Sequence, residues 1–555
     1  MYSVKKNVLQ TVSLFKLYGI DHIVLSPGSR NAPLIQCFTQ DSYFKCHIIV
    51  DERNAAFYGI GLIQKLQKPV AICCTSGTAL LNYAPAVAEA FYQQLPLIVL
   101  SADRTPEWIG QMDGQIIAQY GALNNFVKKS VALPEIKDST DEWYCNRLLN
   151  DALIASTADA PAPVHINLPI AEPLFDYSVE HLPDVRKITA APIKKTIDIK
   201  PFVQTWRNSG KRIIIVGQLF KSEKTISLLN SLAQKADCVV LCEHLSNCVS
   251  PNFVTSFDAL LYKLSNDEKV DFTPDLVITI GGHIVSKRIK HFLREHKPAS
   301  HWHINESGEI VDLFQSLTDL VETDTDYFLS ELLSSISDDN TQPFHTLWNK
   351  AIKQIPEPND EIPFSDIWAT GKFLKRLPKN SSLHLANSST VRNVQLYAID
   401  KTTTVYCNRG TNGIESSLPS AIGFASVHDD LTYLIIGDLS FFYGLNALWN
   451  IGHIKNLRIL LINNGGGGIF HLLPGLNKSA SLGEYVAAGH NGNAKDWAKA
   501  AGLYYLSANS KDELETTLES FFDKNIQQSV LFEVSTDMEI SKKAFQDYYH
   551  NLKTK

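Results

Sequence analysis

Nowhere does this sequence stay apolar for the roughly 18 residues that a membrane-spanning helix requires, so a helical membrane protein is not expected. The first ten residues carry Lys5 and Lys6, but no apolar core follows them as a secretory signal would demand. The expected location is the cytoplasm. Positive charge is in short supply too: 51 Lys and Arg face 58 Asp and Glu, a formal charge of −7, which argues against a nucleic-acid partner. Paired Cys-x-x-Cys knuckles are missing. Cys238, Cys242, His244 and Cys248 have spacings that invite a zinc site, yet they begin in an apolar run. Like most of the nine cysteines, they read as small core residues of a reducing compartment. The glycines Gly465 to Gly468 lack a following Lys-Ser or Lys-Thr, which excludes a phosphate-binding P-loop. Gly281-Gly282 lacks the Gly-x-Gly-x-x-Gly spacing of a dinucleotide turn and reads as a structural turn.

What is present is a rhythm. At 555 residues the chain exceeds one ordinary core, and three domains are expected. Apolar strand-like runs at 22–25, 47–50, 70–74, 97–100 and 164–167 alternate with helical periodicity, which implies right-handed crossovers and a parallel sheet. A polar stretch over 176–201 with three prolines reads as a linker. A second α/β unit follows, with strands at 212–216, 238–242 and 276–280; a Pro- and acid-rich stretch at 355–363 then precedes a helix expected to start at Ser365 as its N-cap. The third unit, with strands at 382–386, 404–407, 432–436 and 458–462, repeats the rhythm of the first. The fold class is therefore α/β with three doubly wound parallel-sheet domains, bounded at 1–180, 200–340 and 360–555.

In doubly wound sheets ligands bind outside the carboxyl ends of the strands. Two strand-end loops stand out, Gly437-Asp438 and Asn463-Asn464-Gly465-Gly466. An Asp carboxylate, an Asn amide oxygen and a main-chain carbonyl form an all-oxygen set, which suits a hard divalent cation that keeps room for phosphate oxygens. The glycines permit a tight turn and close approach of backbone to a ligand. Glu52 follows the strand at 47–50 and precedes a small-residue helix; a carboxylate there would be partly desolvated and suited to sharing a proton with a heterocycle nitrogen. Arg30, Arg104, Arg392 and Arg409 all fall in or just past strand-end loops, and their forked guanidinium groups suit a substrate with several carboxylates. Ile414 and Leu473 could supply an apolar wedge, or could simply be core residues.

Ser26-Pro27-Gly28-Ser29-Arg30, Asp51-Glu52-Arg53, Thr75-Ser76-Gly77-Thr78-Ala79, Ala102-Asp103-Arg104, Pro163-Val164-His165-Ile166-Asn167, Asn408-Arg409-Gly410 and Gly437-Asp438-Leu439-Ser440 occur in this order over most of the chain. The Gly-Asp and Asn-Asn pair resembles the signature of thiamine-diphosphate enzymes, and the whole set resembles the 2-succinyl-5-enolpyruvyl-6-hydroxy-3-cyclohexene-1-carboxylate synthase family of menaquinone biosynthesis. That resemblance implies a pyrimidine-binding first domain, a middle domain and a diphosphate-binding third domain. It also implies a decarboxylating carboligase that joins 2-oxoglutarate to isochorismate on thiamine diphosphate.

Carried over by position, Glu52 activates the cofactor, while Asp438, Asn464 and the Gly466 carbonyl bind Mg2+ or Mn2+. Ser388, Ile414, Leu439, Ser440, Ile469 and Phe470 line the cofactor. Ser388, Arg392, Arg409 and Leu473 meet the 2-oxoglutarate-derived part, and Arg392 and Arg409 are also read as catalytic. Ser29, Arg30, Arg104, Gln115 and Lys287 meet isochorismate. The family shares its site between subunits, which implies a homodimer or homotetramer. Two departures stand out: Gly114 replaces a usual Asn before Gln115, so that an amide contact to substrate is either lost or taken by Asp113, and Gly465 replaces a commonly larger residue.

Acetolactate synthase or a simple 2-oxo acid decarboxylase is the nearest rival. The decarboxylases typically carry an early His-His pair that is not found here, and the four arginines disfavour both. A non-catalytic thiamine-diphosphate-binding protein would not need Glu52.

Overall fold

The computed structural model describes residues 1–191, 195–339 and 341–554. Residues 192–194 of the expected linker, and residues 340 and 555 at the expected domain ends, lie outside them. Three six-stranded sheets account for the architecture. The first comprises β1 (His22–Leu25), β2 (Lys45–Ile48), β3 (Val70–Cys74), β4 (Leu97–Asp103), β5 (Lys129–Ala132) and β6 (Val164–Pro169), in the order β2-β1-β3-β4-β6-β5. The second comprises β7 (Arg212–Val216), β8 (Cys238–Cys242), β9 (Phe253–Val254), β10 (Leu276–Ile280), β11 (Ser300–Asn305) and β12 (Asp319–Glu322), in the order β12-β11-β10-β7-β8-β9. The third comprises β13 (Ser382–Leu385), β14 (Thr404–Tyr406), β15 (Thr432–Gly437), β16 (Leu457–Asn463), β17 (Tyr504–Ala508) and β18 (Val530–Ser535), in the order β14-β13-β15-β16-β18-β17.

All the pairings are parallel. Helices must then cover both faces, and the central strands are correspondingly buried along their whole length, as in Val-Ala-Ile-Cys-Cys of β3 and Arg-Ile-Ile-Ile-Val of β7. The first and third sheets share one strand order, as their common rhythm led us to expect; the middle sheet has a different one. In both outer sheets the chain reverses direction across the sheet between the first and third strands, β1 and β3 or β13 and β15. Such a switch point opens a crevice at the carboxyl ends of the flanking strands. In the third sheet, Ser388 and Asp438 follow those two strands.

Several strands match the expected bounds residue for residue, and the helix Asp366–Arg376 is capped by Ser365, whose hydroxyl accepts the Trp368 N–H. Others start or end one to three residues from the expected bounds, and β2 is shifted as a whole, lying two residues earlier than the apolar run at 47–50. It is an edge strand, and the chain leaves it early so that Asp51 can cap the helix Glu52–Leu66 by accepting the Asn54 N–H at 3.1 Å.

That helix packs on Ser417–Ala425 of the third unit. A Cβ on Gly61 would lie 2.0 Å from the Ser420 carbonyl oxygen, and one on Gly423 would lie 2.2 Å from that of Tyr58. Only glycine allows this approach. Phe57, Ile60, Leu418 and Ile422 thereby join one core spanning the first and third units. The middle unit docks through polar contacts: Asn247 exchanges hydrogen bonds with the Val405 backbone at 2.7 and 3.0 Å, and His244 Nε2 lies 2.9 Å from the Tyr397 carbonyl. Among the described residues no helix is long and apolar enough to cross a membrane.

Candidate active site

A cavity opens at the switch point of the third sheet. Ser388, Ile414, Asp438, Leu439, Ser440, Asn464, Gly466 and Phe470 line it, so eight of the sequence-derived cofactor residues converge on one place. Ile469 lies next to Phe470 in the 3-10 turn Gly468–Leu472, and Leu473 ends that turn. Ser388 has φ of +70°, a conformation that costs a non-glycine residue about 1–3 kcal/mol. It precedes the helix Ser389–Val394 directly.

Asp438 is buried, and its Oδ2 accepts the N–H groups of Gly465 and Gly466 at 2.8 Å each. Its Oδ1 accepts the Leu439 N–H at 2.6 Å. Burial pushes the carboxyl above the ordinary range, and these N–H groups together with His490 pull it back. His490 Nδ1 accepts the Gly492 N–H, and its Nε2 lies 3.3 Å from Asp438 Oδ2. Gly465 has φ of +81°, which explains why a glycine stands there.

Asn464 donates through Nδ2 to Asp366 at 2.8 Å, while its Oδ1 is buried and accepts nothing. A buried oxygen without a partner is uncommon and calls for a ligand. Beside it, the Gly466 carbonyl meets only the Gly468 N–H, at 3.0 Å, leaving a lone pair free. Carboxylate, amide oxygen and carbonyl therefore fit a hard cation. Cys238 and Cys242, by contrast, are buried within β8, and His244 spends Nε2 on the carbonyls of Val394 and Tyr397.

Next to this cavity lie Arg392 and Arg409. Arg392 donates to the Ser388 carbonyl at 2.6 Å, and buried Arg409 donates to Asn387 Oδ1 at 2.8 Å while its Nε finds no partner. Burial, and then the neighbouring Arg409 charge, lower the Arg392 pKa. Among the described residues neither arginine has a carboxylate within ion-pair distance. The Arg409 loop is held from the first unit by Glu89, 0% exposed, whose carboxylate accepts the N–H groups of Gly410 at 2.7 Å and Thr411 at 2.6 Å.

The remaining candidates sit elsewhere in the chain. Glu52 begins its helix, half-buried, and does not line the cavity. Arg30 and Arg104 both reach Glu172 Oε1, at 3.1 and 3.5 Å, and Arg104 also meets Asp113 at 3.1 Å. Asp113 is therefore engaged with an arginine. Gln115, at φ of +62°, is exposed and donates to the Ser76 carbonyl at 3.1 Å. Ser29 is exposed, as is Lys287, the first residue of the helix Lys287–Glu295. The sequence reading missed Asp366, Glu89 and His490, since each acts on a loop far away along the chain and no local pattern ties it there.

The fold is that of thiamine-diphosphate enzymes. Models of the N-terminal TPP binding domain, the middle domain and the C-terminal TPP binding domain of thiamine pyrophosphate enzymes match residues 10–122, 182–385 and 388–534. A crystal structure of benzoylformate decarboxylase from Polynucleobacter necessarius shares the fold, with a TM-score of 0.74 at 18% identity over 97% of this chain and 99% of that one. Among curated proteins, the chain is 46% identical to 2-succinyl-5-enolpyruvyl-6-hydroxy-3-cyclohexene-1-carboxylate synthase of Bacteroides thetaiotaomicron over 100% of both chains. It is 44% identical to that of Phocaeicola vulgatus over 100% of both, and 39% identical to that of Flavobacterium psychrophilum over 96% of both. The chain belongs to the 2-succinyl-5-enolpyruvyl-6-hydroxy-3-cyclohexene-1-carboxylate synthase family.

Proposed function

We propose that this protein decarboxylates 2-oxoglutarate and joins the remaining succinyl unit to isochorismate, using thiamine diphosphate held through Mg2+ or Mn2+. The observation that carries the reading is the pairing of the partnerless, buried Asn464 Oδ1 beside the Asp438 carboxylate with two guanidinium groups, buried Arg409 and half-buried Arg392, that have no carboxylate partners. Asp438, Asn464 and the Gly466 carbonyl would hold the cation. Ser388, Leu439, Ser440, Ile469 and Phe470 would surround the cofactor, and Ile414 would support its rings. When bound, thiamine diphosphate would supply a positively charged ring that accepts the electron pair left behind as carbon dioxide departs.

The chain's own residues supply neutralisation, orientation and proton transfer. Arg392 and Arg409 bind the substrate carboxylates, which restores the anion that these buried charges lack. Leu473 packs beside them. Arg30 and Arg104, already bridged by Glu172, exchange that carboxylate for those of isochorismate, with Ser29, Gln115 and Lys287 around them. The Glu52 carboxyl shares the proton that the aminopyrimidine needs. Because Glu52 lies off its own chain's cavity, the reading places it in the site of a second copy, in a homodimer or homotetramer. A cytoplasmic location, the absence of a nucleic-acid partner and domains at 1–180, 200–340 and 360–555 belong to the same reading.

Release of carbon dioxide from 2-oxoglutarate tests it. Release should require thiamine diphosphate and a divalent cation and should accelerate when isochorismate is added. Equal turnover of pyruvate and 2-oxoglutarate, indifferent to isochorismate, would contradict it.

A further inference from the structure

Asp366 opens the helix Asp366–Arg376, far along the chain from the loops that form the cation site. Its carboxylate is buried, and its partners are two hydroxyls and one amide. Oδ1 accepts from Thr536 Oγ1 at 2.6 Å and Ser541 Oγ at 2.9 Å, and Oδ2 accepts from Asn464 Nδ2 at 2.8 Å. The Ser541 hydroxyl also accepts the Asp366 N–H at 3.0 Å, which locks the group on both sides. Capping of the helix falls to Ser365 instead.

An ionised carboxylate only accepts hydrogen bonds, so it turns the amide nitrogen of Asn464 toward itself and the amide oxygen away. That oxygen, Oδ1, is the buried atom without a partner. Left free, an amide presents nitrogen or oxygen with little preference, and the nitrogen would repel a cation. A buried carboxylate surrounded only by neutral donors is also costly, and a cation held across Asn464 would offset that cost.

We propose that Asp366 is a positioning residue of the cation site, orienting Asn464 so that its amide oxygen faces the metal, with Thr536 and Ser541 fixing Asp366 in turn. The inference rests on the reading of Asp438 and Asn464 as cation ligands. Outer partners of this kind typically contribute ten- to a hundredfold to metal affinity.

The test is a Mn2+ titration followed by electron paramagnetic resonance, with thiamine diphosphate present, on the wild type and on Asp366→Ala, Asp366→Asn and Thr536→Val. Wild type should bind Mn2+, and Asp366→Ala should bind it about ten- to a hundredfold more weakly. Saturating Mn2+ should return the amount of cofactor bound to the wild-type level, which a damaged fold would not allow. Asp366→Asn can still turn an oxygen toward Asn464 Nδ2, so it should recover most of the affinity. Wild-type Mn2+ affinity in Asp366→Ala would overturn the proposal. If that variant fails to fold, Thr536→Val decides: a several-fold loss supports the positioning role, and wild-type affinity overturns it. A wild type that binds no Mn2+ would instead remove the cation reading on which the role rests.

Discussion

Arg392 and Arg409 illustrate how a single side chain can declare a ligand. Guanidinium groups withdrawn from water are normally paired, yet half-buried Arg392 and buried Arg409 each contact only neutral oxygen, a carbonyl or an amide, while Arg409 Nε contacts nothing. In the proposed function a substrate carboxylate would complete them, at roughly 1.5 to 3 kcal/mol for a charge-assisted contact, or about ten- to a hundredfold in specificity. Arg392→Ala should therefore lower kcat/KM for 2-oxoglutarate by about that factor and leave any slow turnover of pyruvate almost unchanged; steady-state kinetics with the two acids would show it. An equal loss for both would make Arg392 a general support. These arginines were legible in the sequence because both sit at strand ends. Glu89 and Asp366 were not, because a carboxylate that holds a distant loop leaves no mark in its own neighbourhood.

At the scale of elements, the helices Glu52–Leu66 and Ser417–Ala425 touch backbone to backbone through Gly61 and Gly423. Gly61→Ala would drive a methyl into the Ser420 carbonyl, so it should cost about 1–3 kcal/mol or more by overpacking. Gly452→Ala, with nothing within 4 Å, serves as its near-neutral control in denaturant unfolding. β13 carries a second consequence in His384, which is stacked with Tyr406 at 4.9 Å and packed edge-on to Phe424. Burial holds its pKa down to about 3, against an ordinary 6.5. The unfolded chain takes up this proton first as pH falls, so the stability contributed by neutral His384 is complete above about pH 6.5 and is lost progressively toward pH 3. By pH 5 the loss is about 2 kcal/mol. His384→Phe should accordingly shrink the gap in Tm between pH 7 and pH 5, and an unchanged gap would refute the assignment.

Elements were legible where burial was complete. The runs of β1, β3, β7, β8 and β10 are predominantly apolar, and their bounds follow directly. β11, Ser-His-Trp-His-Ile-Asn, is largely buried yet looks polar, and β18, Val-Leu-Phe-Glu-Val-Ser, buries a charged residue in an otherwise apolar run, because internal partners satisfy their polar groups. Glu533, for instance, accepts from Asn463, Ala494 and Tyr505. Edge strands β12 and β17 are half-exposed, and no periodicity marks them.

At the scale of the molecule, a single chain separates the pieces of its own chemistry. The proposed cation ligands, Arg392 and Arg409 lie around the third sheet's switch point, while Glu52 lies off that cavity. Sharing between copies makes a quantitative prediction. Glu52→Gln and Asp438→Ala should each be inactive alone. Unfolded together and refolded as random dimers, half would be mixed and each mixed dimer would hold one intact site, so activity should return to about a quarter of wild type. Activity that stays at the level of the separate variants would place Glu52 and Asp438 in the same chain's site.

The most direct measurement is identification of the product. The protein, supplied with thiamine diphosphate, Mg2+, 2-oxoglutarate and isochorismate, should yield 2-succinyl-5-enolpyruvyl-6-hydroxy-3-cyclohexene-1-carboxylate by mass spectrometry, with the mass of isochorismate plus the succinyl unit. Recovery of succinic semialdehyde alone, with isochorismate left unchanged, would show a decarboxylase that does not join the two substrates and would contradict the account.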